Sequence, residues 1–229
     1  MKKVGFIGAY DKSDLILYIA KIITYMGKKV IVIDGTTTQK TKYTVPAISN
    51  SKSYLTSFEE FDVAVGFRSY EEMLEDLQIG ENNYDIALID VDSADRFDRF
   101  SLEEADINYF VTSFDLYALK KGLEILSNME EGVKLTKILF SRYMSKAEDE
   151  YFNFLSENYN INWDKEKISF PMEQGDKSAI IENQRASKLK TKNLSAQYRD
   201  SLLAIVGHIT ENEDFITLRK MLKKMDKGV

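Results

Sequence analysis

Lys12 and Ser13 stand side by side at the start of an apolar helix, and aspartates close two apolar runs at Asp34 and Asp90. These residue types at these places suit phosphate and magnesium chemistry. A lysine ammonium can approach a β- or γ-phosphate, a serine hydroxyl can hold Mg²⁺, and strand-end carboxylates can orient the metal's waters. The loop before them, Gly8-Ala9-Tyr10-Asp11, begins with a glycine. A phosphate-wrapping loop needs glycines so that backbone N–H groups can approach and turn freely; this one has Gly8 alone, and Asp11 adds negative charge where phosphates would sit. Each residue also has an ordinary reading: Ser13 as a helix cap, Asp34 and Asp90 as turn or cap residues.

The elements that must position these groups follow from hydrophobic periodicity. Val4-Gly5-Phe6-Ile7-Gly8 reads as a strand, and a helix runs from about Lys12 to Met26 with Leu15, Ile19, Ile22 and Ile23 on one face. Gly27 ends it, and Val30-Ile31-Val32-Ile33 leads to Asp34 as a second strand. Thr36 to Ser57 reads as an extended connection with a short strand at Tyr43-Thr44-Val45. Asp62 to Phe67 is a strand, Ser69 opens a capped helix to about Leu77, and a Gly80-Glu81-Asn82-Asn83 turn leads into Tyr84 to Asp90. That last apolar run is typical of a strand buried on both faces. Further strands are expected at Ile107 to Thr112, Lys137 to Phe140 and Lys167 to Phe170. Helices are expected at Leu116 to Met129, Glu148 to Asn158, Ser178 to Asn183, Ser195 to Ile209 and Asp214 to Met225. The alternation predicts an α/β fold: a doubly wound, mostly parallel β-sheet flanked by helices, in a single domain, with ligand groups at the carboxyl edge of the sheet.

Composition narrows the chemistry. The 229 residues carry a net charge of −6, which disfavours the whole surface as a nucleic-acid footprint. With no cysteine and a single histidine, His208, thiol chemistry, thiolate metal sites and a Ser-His-Asp triad are not expected. His208 reads as a helix-end residue. No run approaches the roughly 20 apolar residues of a membrane span, so a cytoplasmic location is expected.

Lys12 to Lys21, then Gly27-Lys28-Lys29-Val30-Ile31-Val32-Ile33-Asp34, resemble the ParA/MinD family of deviant P-loop ATPases, the SIMIBI-class group that includes the TadZ-like pilus-assembly proteins. Tyr84-Asp85 through Asp90 resembles the family's Walker B strand, Phe140-Ser141-Arg142 its strand followed by Asn-Arg, and Phe170-Pro171 its strand-Pro element near the base. The resemblance covers roughly Lys2 to Ile209. It implies a nucleotide face built from Gly8, Lys12, Ser13, Asp34, Asp90, Ser141, Arg142 and Pro171, with Ser13, Asp34 and Asp90 at Mg if ATP binds. Departures from the family are equally specific. The loop lacks the glycine pair and the lysine that reaches across the dimer; Asp34-Gly35-Thr36 lacks the second aspartate; and Ser141 replaces the adenine-reading asparagine. These changes point to a degenerate Walker A loop, with no residue assigned a catalytic role.

A last feature is the segment 210–229, expected as a basic amphipathic helix with Phe215, Leu218, Leu222 and Met225 on one face and Lys220 and Lys224 among its flanking cations. Such a helix can lie in a membrane interface or pack on its own domain, residues 1–209. Arg185, Lys188, Lys190 and Lys192 form a second basic cluster, expected as a solvated loop, and Trp163 is expected to anchor a loop. The favoured reading is a degenerate ParA/MinD-like localisation or assembly scaffold, a pseudo-ATPase forming a homodimer with an unknown protein partner. The alternatives are an active MgATP-dependent dimerising ATPase for spatial positioning, and an adaptor at the inner face of the membrane acting through the C-terminal helix.

Overall fold

A computed structural model describes residues 1–46, 51–80, 82–127, 133–141, 145–157, 159, 161–211 and 214–228. The expected turn residue Glu81, the helix ends Met129 and Asn158, and the site candidate Arg142 lie outside the described residues.

Strand β1 (Lys2–Ile7) feeds helix α1 (Ser13–Tyr25), then β2 (Val30–Asp34). A hairpin follows, β3 (Tyr54–Phe58) and β4 (Phe61–Val65), and then α2 (Tyr70–Leu77), β5 (Ile86–Val91) and the short α3 (Ala94–Arg99). The chain continues through β6 (Ile107–Ser113), α4 (Leu116–Leu126), β7 (Lys134–Ser141), α5 (Lys146–Ser156) and β8 (Asn162–Pro171), and ends with α6 (Gln174–Arg185), α7 (Ala196–Thr210) and α8 (Phe215–Met225). The strands form one eight-stranded sheet in the order β3-β4-β2-β5-β1-β6-β7-β8, parallel except for β3 against β4. This is the expected doubly wound α/β architecture.

The central strands carry apolar residues on both faces because helices cover both. One side packs Val4, Phe6, Val32 and Leu88 against α1, α7 and α8; the other packs Ile7, Ile33 and Ile89 against α2, α3 and α4. Leu15, Ile19, Ile22 and Ile23 are buried as their spacing predicted, and Gly27 leaves α1 at φ 83°. The connection after β2 differs from expectation. Residues Lys40–Tyr43 form a 3₁₀ turn where a strand at Tyr43-Thr44-Val45 was expected, and Tyr54–Phe58, expected as connection, is an antiparallel edge strand. Its polar residues fit an edge, where alternation is weak. β8 is also longer than expected, with Trp163 packed on Phe110 and Phe152 from within the strand rather than from a loop.

Candidate functional site

The register of the parallel strands brings the predicted residues together. Asp34 lies opposite Asp90, and Phe6 of β1 is Asp90's partner on the other side, so both carboxylates emerge at the carboxyl edge beside the loop leaving β1. Gly8 continues β1 by donating its N–H to Val91 O at 3.2 Å, then turns at φ 144°. A Cβ there would stand 2.2 Å from Val111 O, so only glycine lets the loop pass β6.

Lys12 is the residue on which the site turns. Its ammonium lies 2.7 Å from Asp90 Oδ1 and donates to Gly8 O at 2.8 Å, while Lys12 and Asp90 are 3 % and 2 % exposed. The lysine thus ties its own loop to β5. Burial pushes the Asp90 carboxyl up, to about 7, against the pull of Lys12 and with Asp34 and Asp92 adding to the push. A carboxylate this enclosed keeps its charge only through its ammonium partner.

Ser13 was expected either to cap α1 or to hold a metal. Instead Lys12 occupies the capping position, and Ser13 donates both its N–H (3.2 Å) and its hydroxyl (3.0 Å) to Asp11 Oδ1. Asp11 therefore serves the exposed donors of the first turn, where a negative charge is favourable. Its other oxygen is 3.0 Å from Lys40 Nζ. Burial raises the Asp11 carboxyl, but Lys40 and the Ser13 donors outweigh it and leave it below the ordinary value.

Asp34 is equally occupied. Its Oδ1 accepts from Thr36 N (3.1 Å) and Thr36 Oγ1 (2.6 Å), and its Oδ2 from Thr41 N (3.0 Å). This holds the turn after β2, the ordinary reading of a strand-end aspartate. Asp92, which the sequence reading passed over, accepts Thr37 N (2.8 Å) and Thr37 Oγ1 (2.7 Å) and fastens the same turn to β5. An aspartate two residues beyond a buried strand-end aspartate was the available signal.

Between these elements lies a cavity of about 300 Å³ lined by the loop from Gly8 to Ser13, by Thr36 to Thr38, and by Asp90, Asp92, Tyr117 and Lys121. Tyr10 borders it, leaning on Phe140 at 4.8 Å between ring centroids, and burial pushes its phenol up to about 12. Ser141 and Pro171 sit opposite each other at the ends of β7 and β8. Neither lines the cavity; Ser141 Oγ donates to Glu148 Oε2 at 2.5 Å instead.

In the C-terminal helix, Leu218, Leu222 and Met225 are buried in the core shared with α1 and α7, and Phe215 packs against it. Arg219 makes a two-pronged pair with Asp200 of α7, at 2.9 and 2.6 Å. Lys220 and Lys224 are exposed. The face that would enter a lipid interface thus lies against the chain's own core.

The eight-stranded, mostly parallel sheet with helices on both faces is the α/β fold that solved structures of ParA/MinD-family P-loop ATPases share. The ParA-family ATPase from Chlorobium tepidum TLS aligns over 91 % of this chain and 98 % of its own at 15 % identity, with a TM-score of 0.66. The ATP complex of Cyanothece McdA aligns over 93 % and 98 % at 11 % identity (TM-score 0.62), and the Aquifex aeolicus MinC:MinD cell division complex over 92 % and 95 % at 12 % (TM-score 0.59). No protein-family model matches the chain, and no curated protein matches its sequence. At these identities the likeness establishes the fold.

Proposed function

We propose that this chain is a positioning or assembly scaffold of the ParA/MinD type, TadZ-like in having a degenerate Walker A loop, whose nucleotide site is closed by its own side chains. The observation that carries the reading is the buried Lys12–Asp90 pair, 2.7 Å apart, with the same ammonium on Gly8 O. For Lys12 to meet a phosphate, it would have to leave a buried carboxylate uncompensated. Breaking such a pair costs about 3–5 kcal/mol, which weakens binding by roughly a hundredfold to a thousandfold or more. Ser13 and Asp34, the other groups for MgATP, are held by Asp11 and by the turn at Thr36. The one-glycine loop supports the same conclusion.

On this reading the chain works as a homodimer with a protein partner, in the cytoplasm or at the inner face of the membrane. Among the described residues no helix is long and apolar enough to cross a membrane.

The test is titration calorimetry with MgATP and MgADP up to about 1 mM, beside sedimentation of the same samples. No heat beyond dilution and a dimer indifferent to nucleotide are expected. Micromolar binding that shifts monomer to dimer would overturn the closed site and restore an active ATPase that switches through Lys12, Ser13 and Asp90.

A further inference from the structure

Positive charge gathers on the layer of the molecule that carries α1, α7 and α8. The connection 186–194 lays Leu189 and Leu194 into the core on that side, and Thr191 fastens it to the end of α8: its N–H (3.2 Å) and hydroxyl (2.9 and 2.8 Å) donate to the Asp226 carboxylate. This clamp brings Lys190 and Lys192, on either side of Thr191, beside Lys223 and Lys227, which flank Asp226. All four are exposed, as are Arg185 and Lys188 where the connection begins. None of the six has an ion pair among the described residues. The carboxylates that touch the connection are engaged elsewhere, Asp226 with Thr191, and Glu59 with Lys21 and the Leu189 N–H. Glu182, a turn before Arg185, is exposed and makes no pair with it, so the patch keeps an excess of positive charge.

The opposite layer carries the reverse sign. There α2 crosses from β4 to β5 and α3 lies on the way from β5 to β6, with Met73, Phe97 and Leu102 in the core beneath them. Glu71, Glu75 and Asp76 of α2, Asp98 of α3, and Glu103 and Glu104 just beyond it are exposed, and their carboxylates have no hydrogen bond or ion pair among the described residues. The arginines of this layer are spent within it: Arg68 on Glu72, Arg99 on Asp95, and Arg96 on the carbonyls of Phe67 and Arg68.

We propose that a second copy of this chain sets its acidic α2–α3 layer against the basic patch of the first. Each chain carries both halves on opposite layers, so the contact is heterologous: every pair keeps one free patch of each sign, and association repeats head to tail. A nucleic acid or an anionic membrane would satisfy the basic patch alone and would face a chain of net charge −6, whereas a second copy satisfies both patches. Exposed ion pairs are individually weak and screened by salt, so the contact belongs to high concentration and low ionic strength. The proposal goes beyond the scaffold reading without resting on it, because no residue of the Lys12 site takes part.

Sedimentation velocity of the full chain tests it, at about 5–200 μM in about 30 mM and about 500 mM sodium chloride, with the species at high salt taken as the base unit. At low salt the parent is expected to grow past the base unit, by more than one added unit, as concentration rises. Two double variants at exposed positions, Lys223→Gln with Lys227→Gln and Glu71→Gln with Glu75→Gln, are each expected to need at least about tenfold more protein for the same growth. An equal mixture of the two is expected to regain association, because one keeps its acidic layer and the other its basic patch. That recovery separates a lost contact from a misfolded chain, and a two-fold dimer through another face would respond to neither variant. A parent that keeps its base unit at about 200 μM in low salt, growth unchanged in either variant, or a mixture no more associated than its parts overturns the proposal. Parallel samples contain a duplex of about 30 base pairs or vesicles of anionic lipid. Association of the parent only with one of these, lost in the lysine variant, would assign the patch to a polyanion and overturn the self-contact.

Discussion

The two cavities differ in what their polar groups are doing. At the carboxyl ends of β1, β2 and β5, the Lys12 ammonium and the Asp11, Asp34 and Asp92 carboxylates are held by neighbours in the same chain. Around a second cleft of about 420 Å³ where β8, α7 and α8 meet, Glu211 is paired with Lys2, while the exposed Glu166 carboxylate has no hydrogen bond or ion pair among the described residues. The polar groups at the fold's usual ligand position are therefore the more fully engaged of the two sets. Position in an architecture says where a ligand can sit; unspent bonding capacity says where one is invited.

The largest effect that tests this contrast comes from opening the tied site. Lys12→Met leaves Asp90 buried without its ammonium and should lower unfolding free energy by about 3–5 kcal/mol in urea denaturation near pH 8. The loss should shrink near pH 5, because the Asp90 carboxyl, already pushed up to about 7, then takes a proton. Adding Asp90→Leu removes the stranded charge and should return most of the stability. A single-variant loss under about 1 kcal/mol would mean that the pair is no lock, and the contrast between the two cavities would fail.

A somewhat smaller effect is expected at α8. Leu218 is 1 % exposed against the core that α1 and α7 share, so Leu218→Ala should cost about 2–4 kcal/mol. A loss under about 1 kcal/mol, together with full-length chain floating on vesicles containing anionic lipid, would show that the helix leaves the domain to act at a membrane. That would make the C-terminal segment, and not the cleft beside it, the open surface of the molecule.

These residues also show how far the sequence could be read. The order of strands and helices was legible because apolar runs of strand and helix period alternate, and the aspartates closing β2 and β5 marked the carboxyl edge. What each polar group would face was not legible. Spacing placed Lys12 near Asp90, but whether a lysine points out to a phosphate or inward to a carboxylate depends on the path of Gly8 to Asp11, which hydrophobic periodicity does not describe. The capping alternative for Ser13 failed for the same reason: Asp11, one residue outside the expected helix start, took its donors. β3 was missed because an antiparallel edge strand with Thr56 and Ser57 lacks the apolar run that marks central strands. The cleft was invisible because its lining comes from β8, α7 and α8, and only their packing assembles it.

The smallest predicted effect concerns a carboxylate two residues beyond Lys12. Asp14, in the first turn of α1, receives Gln184 Nε2 at 2.9 Å on both oxygens. Burial pushes its carboxyl up from 3.8 to about 6; the Gln184 bond pulls it down and the nearby Asp11 charge pushes it further up. The helix N-terminus should favour the charged form, so the upward direction means that burial outweighs the dipole here. A value raised on folding means that the folded chain holds this proton more tightly than the unfolded one. The associated stability is fully present below about pH 4 and is lost as pH rises to about 6. Asp14→Asn keeps the shape, removes the charge and should flatten that slope. Near pH 8 it should stabilise the chain by about 1 kcal/mol, less than two full pKa units would give because the group is partly exposed to solvent. Urea titrations of both proteins at about pH 4, 6 and 8 measure the slope directly. If the variant is less stable at pH 8, the charge at Asp14 is favourable after all, held by Gln184 and the helix end. The loop end of α1 would then be a place where negative charge is welcome, and the case for a closed phosphate site would rest on Lys12 and Asp90 alone.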